Sequence, residues 1–307
     1  MYLFQIPSYN EAVILTIALN YLPKHINSID TIEYLIINDG SKDNIVQVAR
    51  DWDVNCVVSF KKNKCLAKGF MVGLDASLRN GADIIGNTNA DEQCCGDDIE
   101  RLVKPILEGK SDIVKGASPI DQTENFSPIR KKLQHFGLWV VQKASKTTIP
   151  DAPSGFRVFS HEAAMAMNVT NEYTYTRETI VLAGQNKIPI ESVPIRTNRE
   201  LRPSRLFHSI WGYIKKSMLT IVRSYVMYKP MHFFTVLGLI PFGIGLFLFI
   251  RFLVLSGGQI QSLILGSTLI MMGFLTWVTG IQSDTIAANR KLLEDIQKHV
   301  RMLDYDG

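Results

Sequence analysis

Cysteine is scarce in this chain. The 307 residues include 4, at Cys56, Cys65, Cys94 and Cys95, with no C-x-x-C spacing and the last two adjacent. Neither a zinc-site pattern nor a disulfide framework is offered. Excess charge of one sign is also missing. Thirty-three Lys and Arg against 29 Asp and Glu leave a formal net charge of +4, and no nucleic-acid partner is expected from so weak a basic balance. Internal repeats and low-complexity tracts are absent, and 46% hydrophobic with 20% charged residues excludes a disordered or collagen-like chain. The opening Tyr2-Leu3-Phe4-Gln5-Ile6-Pro7 has no basic leader before an apolar stretch, so no cleaved signal peptide is expected.

What the sequence has in excess is two uncharged apolar runs near its end. Residues 233–250 and 262–281 contain no Asp, Glu, Lys or Arg, and each is long enough, at roughly 18 to 20 residues, to cross a bilayer as a helix. Arg202, Arg205, Lys215, Lys216, Arg223 and Lys229 precede the first run, and Arg290, Lys291, Lys298 and Arg301 follow the second. The connector 251–261 carries only Arg251. By the positive-inside rule both termini and the large leading segment are expected in the cytoplasm, joined by a membrane hairpin.

Ahead of these runs, short apolar stretches at 2–6, 33–37, 55–58, 83–87 and 112–115 read as strands. They alternate with patterns at 11–22, 44–51, 64–80 and 97–107 whose apolar residues recur every three or four positions. That order predicts an α/β head with a mostly parallel, Rossmann-like sheet, whose ligands bind beyond the carboxyl ends of the strands. Residues 1–200 are expected to form this head. The stretch 201–230 is expected to be a basic, amphipathic interfacial segment, 231–283 two transmembrane helices and 284–307 a cytoplasmic tail.

Three strand ends carry motifs: Ile6-Pro7-Ser8-Tyr9-Asn10-Glu11, Asn38-Asp39-Gly40-Ser41-Lys42-Asp43 and Asn89-Ala90-Asp91-Glu92-Gln93. In order and spacing they resemble the nucleotide-sugar site of the family 2 inverting glycosyltransferases. The resemblance implies a GT-A head in which Asp39 accepts from the base or ribose, while Pro7, Tyr9 and Glu11 line the same pocket. It also implies a donor and metal segment of Asn89, Asp91 and Gln93. Their oxygens suit Mg²⁺ or Mn²⁺, which prefer oxygen ligands and donor phosphates. From the residues alone, Asp39 also fits an Asx turn with Gly40. The sequence departs from the pattern at three places. Asn89 replaces the first acid of D-x-D, Glu92 stands where an uncharged residue is frequent, and Cys65 replaces a glycine.

Further on, Asp151-Ala152-Pro153-Ser154-Gly155-Phe156-Arg157 resembles the acceptor-side loop of the polyprenyl-phosphate sugar synthases in that family, and Glu178 fits the same pattern. A lipid phosphate needs fixed cations, which arginine supplies bidentately. Arg130, Lys131, Ser154, Arg157, Arg202 and Arg205 are the expected acceptor-phosphate residues, and Asp91, Asp151 and Glu178 the expected catalytic ones. The resemblance implies transfer of a hexose from UDP- or GDP-hexose to a polyprenyl phosphate, with inversion, at the cytoplasmic membrane face. Two other readings use the same residues: a membrane glycosyltransferase acting on a lipid or saccharide hydroxyl, and a non-catalytic binding or scaffold protein. Assembly as a homo-oligomer stays open.

Overall fold

The computed structural model describes residues 1–23, 25–88, 96–117, 155–169, 175–196, 222–223, 225–227, 229–254 and 260–305. Contacts divide the chain into two compact units, Met1–Ile214 with Gln297–Gly307, and Lys215–Ile296.

The first unit opens with β1 (Tyr2–Ser8), buried along its whole length, as an apolar run covered on both faces of a sheet should be. There follow α1 (Ala12–Tyr21), β2 (Ile32–Asn38), α2 (Ile45–Asp51), β3 (Cys56–Ser59), α3 (Leu66–Arg79), β4 (Ile84–Asn87), α4 (Gly96–Leu107) and β5 (Ile113–Ala117). All nine elements read from periodicity are present within a few residues of their expected bounds. Two further strands, β6 (Arg157–Ser160) and β7 (Ile190–Pro194), lie beyond that reading, with α5 (His161–Ala166) and α6 (Thr176–Gln185) between them. The seven strands run in the order β3-β2-β1-β4-β6-β5-β7. Every neighbouring pair is parallel except those of β6, which runs antiparallel to both β4 and β5.

The reversed strand matters for the site. Because β6 points the other way, its first residue, Arg157, pairs with Asn87 and Lys115 near the carboxyl ends of β4 and β5. The sheet register then sets two rows on one face, since directly paired residues share a face and alternate residues return to it. One row is apolar: Leu3, Ile85, Phe159, Ile113 and Ile190. Two residues nearer the carboxyl edge the row is polar: Gln5, Asn87, Arg157, Lys115 and Ser192. Helix α3 packs closely here, and a Cβ on Gly73 would meet Gln5 Oε1 at 2.0 Å, so a larger residue at that point of the helix would displace the Gln5 amide.

The last turns of the chain belong to this unit. Arg301 donates from Nη1 to the carbonyls of Met165 (3.2 Å) and Met167 (2.7 Å), and its Nη2 lies 2.9 Å from Asp75 Oδ1. Met167 caps the carboxyl end of α5, where a cation meets unpaired carbonyls. Residues from Gln297 onward are grouped with the head, and a buried arginine that joins α3 and α5 is the physical reason.

The second unit is built on α7 (Pro230–Val254) and most of α8 (Ile260–Tyr305). Both are long and apolar enough to cross a membrane. Within the unit the two helices pack through Trp277, whose Nε1 donates to the Thr235 carbonyl at 3.2 Å and whose ring lies 4.8 Å from that of Phe242. Gly245 lies against the Gly266 carbonyl, the small-residue contact that lets apolar helices approach. Phe247, Leu253, Ile264 and Phe274 face outward, as side chains surrounded by lipid do.

Candidate functional site

At the carboxyl edge three loops are tied together by their own polar groups. The Asn10 amide donates to Ser41 Oγ (3.0 Å), and the Lys42 amide donates to Asn10 Oδ1 (2.8 Å). The Ser41 amide donates to Asn38 Oδ1 (2.8 Å), and Asp43 Oδ2 accepts from the Ala12 amide (2.9 Å), serving the amino end of α1 from another loop. Asp39 sits at the centre. It is buried, its amide donates to the Ser8 carbonyl at 3.0 Å, and its Oδ1 accepts from the Lys64 amide at 2.6 Å. Burial raises the Asp39 carboxyl above the ordinary aspartate range, with the Lys64 and Cys65 amides and the Lys64 charge opposing that shift.

The close approach of these loops has a backbone cost. Gly40 has φ +71°, and a Cβ there would lie 2.6 Å from the Lys62 carbonyl carbon, so glycine is required. Asn10 (φ 52°) and Cys65 (φ 73°) share the left-handed region. Asparagine tolerates it. Cys65, with ψ 154°, occupies a conformation open almost only to glycine, which fits its place where the resemblance has one. Pro7 is buried, Glu11 half-buried and Tyr9 exposed at the same edge.

On the other side of β1 the polar groups lie inside the protein. Gln5 Nε2 donates to Asn87 Oδ1 (2.9 Å), and Asn87 Nδ2 donates to the Gly155 carbonyl (2.9 Å) and to the Tyr175 hydroxyl oxygen (2.7 Å). The Tyr175 hydroxyl donates in turn to the Gly155 carbonyl at 3.2 Å. Arg157 donates from Nη1 to Thr179 Oγ1 and from Nη2 to the Thr176 carbonyl. Glu178 is buried in the first turn of α6, between these two threonines.

The expected donor residues Pro7, Tyr9, Glu11 and Asp39 thus share one edge. Arg157 differs from its expected place in an acceptor-side loop. It opens a central strand, is fully buried, and commits two donors to α6. The strand-favouring Phe156, Val158 and Phe159 around Arg157 mark such a strand, and the motif's loop-like start hid it. Asn89, Asp91, Gln93, Arg130, Lys131, Asp151, Ser154, Arg202 and Arg205 lie outside the described residues. Sequence reasoning assigned no role to Asn87 and Tyr175. Their polar neighbours, Thr88-Asn89 after Asn87 and Thr174 to Glu178 around Tyr175, gave no signal that set them apart.

A mostly parallel sheet with one reversed strand, and an acidic residue held among loops at its carboxyl edge, defines the GT-A class of α/β heads. Residues 4–167 match the model of Glycosyl transferase family 2, more than half of the chain, and the chain belongs to that family. It is a glycosyltransferase that uses a nucleotide sugar. Among curated relatives, a UDP-N-acetylglucosamine–dolichyl-phosphate N-acetylglucosaminyltransferase of Methanococcus voltae is 29% identical over 214 residues, covering 62% of this chain and 83% of that one. A dolichyl-phosphate beta-glucosyltransferase of Trichomonas vaginalis is 27% identical over 233 residues, 70% of this chain and 68% of that one. The glucosyl-3-phosphoglycerate synthase of Mycobacterium tuberculosis, solved with Mn²⁺, uridine diphosphate and phosphoglyceric acid, aligns with a TM-score of 0.57 at 15% identity, over 72% of this chain and 78% of that one. At that identity the likeness establishes the fold.

Proposed function

We propose that this protein transfers a hexosyl unit from a nucleotide diphosphate sugar to a polyprenyl phosphate, with inversion, at the cytoplasmic face of a membrane. The observation that carries the acceptor is the union, in one chain, of a family 2 head with two helices long and apolar enough to span a bilayer. An enzyme whose acceptor dissolves in lipid needs that anchor. The names of the two curated relatives, both dolichyl-phosphate sugar transferases, support the same class. The basic flanks of the two helices support an orientation with head and termini in the cytoplasm.

The chemistry asks little of a base. A phosphate oxygen of the acceptor attacks the anomeric carbon while the bond to the diphosphate breaks on the opposite face, and the acceptor is already anionic near neutral pH. Positioning and stabilisation of the departing charge then carry the rate. Asp39 takes the base or ribose, and Glu178 or Asp151 orients the acceptor or accepts a proton if it arrives protonated. The chain leaves β4 at Asn87 on the same edge as Asp39 and leads into Asn89, Asp91 and Gln93. Their oxygen donors are of the type that Mg²⁺ or Mn²⁺ prefers, with one carboxylate among the three. Such an ion, held there, supplies positive charge to the leaving diphosphate. Arg130, Lys131, Ser154, Arg202 and Arg205 complete the acceptor side in this reading, while buried Arg157 supports it from within.

The test is incubation of the purified protein with labelled UDP- and GDP-sugars and a short polyprenyl phosphate. A labelled lipid of phosphodiester type supports the reading. Product formed only with a hydroxyl acceptor, or no product with either, overturns it.

A further inference from the structure

We propose that Tyr175, acting with Asn87 and Arg157, is a positioning device for the transfer step. This rests on the glycosyl-transfer reading above. The cluster joins three segments to which that reading gives chemical roles. Asn87 precedes Asn89 by two residues, Gly155 directly follows Ser154, and Tyr175 stands three residues before Glu178. The Gly155 carbonyl accepts from both Asn87 Nδ2 and the Tyr175 hydroxyl, so the end of the acceptor segment is fixed to the end of β4. The Tyr175 ring stacks on Phe70 with centroids 4.1 Å apart and planes 4° from parallel, which sets the hydroxyl's direction. Arg157 holds the first turn of α6 at Thr176 and Thr179, on either side of Glu178.

These groups lie fully within the protein. Burying so many polar atoms stabilises a fold less well than apolar packing of the same shape, so their benefit is fixed geometry. The loops that hold Asp39 use a separate set of bonds, among Asn10, Asn38, Asp39, Ser41 and Lys64. None of these is shared with the Tyr175 cluster. Loss of the cluster is therefore read in turnover and spares the nucleotide affinity that Asp39 supplies.

Tyr175→Phe is the probe, because it keeps the ring on Phe70 and removes only the hydroxyl; Arg157→Lys, which keeps the charge and loses the two-pronged reach, is the second variant. In the full chain, kcat with polyprenyl phosphate should fall about tenfold in Tyr175→Phe, while the Kd for UDP or GDP stays within about twofold. Unchanged kcat, or equal loss of kcat and nucleotide affinity, overturns the proposal, as does a lower unfolding temperature with normal turnover. Hydrogen exchange separates this from failure of the functional reading. Even if the wild type makes no lipid product, amides of 155–157 and 176–180 should exchange faster in Tyr175→Phe, with those of β1 and β2 unchanged. Uniform acceleration, or none, overturns the proposal.

Discussion

The two halves of the sheet hold their polar residues in opposite ways. On the side of β1 to β3, loops at the carboxyl edge bind one another through side-chain-to-amide hydrogen bonds near the surface. On the side of β4, β6 and β5, the polar residues belong to the strands themselves and are buried beneath α3 and α6. In the proposed function the first arrangement places groups where a soluble nucleotide arrives from water, and the second fixes the relation between segments given to the two substrates. Surface loops should therefore yield affinity effects with modest stability changes, and the buried half should yield turnover or stability effects.

Asp91 follows β4 in the sequence, and its loss is expected to be the largest effect. Asp91→Asn should lower kcat by roughly 100- to 1000-fold, as removal of a group that stabilises departing charge does. Asn89→Asp should lower the metal concentration for half-maximal activity. Steady-state kinetics across a Mg²⁺ or Mn²⁺ series measures both, and full activity of Asp91→Asn in a chelator would remove the metal from the scheme.

Arg301 tests the buried side through stability alone. Arg301→Ala strips Met165, Met167 and Asp75 of a shared partner and should destabilise the head by about 2 to 4 kcal/mol. Thermal unfolding of the full chain reads this. A change below the measurement error would show that the last turns of α8 add nothing to the head.

Asp39 should divide affinity from stability. Since burial raises its carboxyl, the charged form is the disfavoured one in the folded protein. Stability from this group increases as pH falls through the raised value, whereas nucleotide binding to the carboxylate is lost over the same interval. Asp39→Asn should weaken UDP or GDP binding about tenfold, the scale of one charge-assisted hydrogen bond, while leaving the unfolding temperature at neutral pH equal or higher. Calorimetric titration between pH 4 and pH 7 (roughly spanning the carboxylate range) should show the pH dependence vanish in the variant. A persistent acid-side loss would assign it to another group.

The smallest effect is expected at Cys65. Glycine adopts φ 73° with ψ 154° without the clash that a Cβ brings, so Cys65→Gly should stabilise the head by about 1 kcal/mol. Denaturant midpoints compare the two proteins, and destabilisation would show that the cysteine side chain makes a compensating contact.

Local order in this protein was written into the chain's periodicity. Apolar runs followed by three- and four-residue spacing specified five strands and four helices of the head, because a segment with one face to cover needs no distant information to choose between the two periods. Uncharged runs specified the two long helices, and short motifs at strand ends marked the edge that the proposed function gives to the nucleotide sugar. Three things were decided only by tertiary structure. The reversal of β6 turned Arg157 from a loop cation into a buried strand residue. The meeting of Asn87 with Tyr175, 88 residues away in sequence, set the inner polar cluster. The docking of Arg301 on α3 and α5 made the chain's end part of the head. Each depends on which side chains become neighbours when distant segments pack. A buried polar residue and a solvated one look alike until its partners, specified elsewhere in the sequence, have been brought beside it.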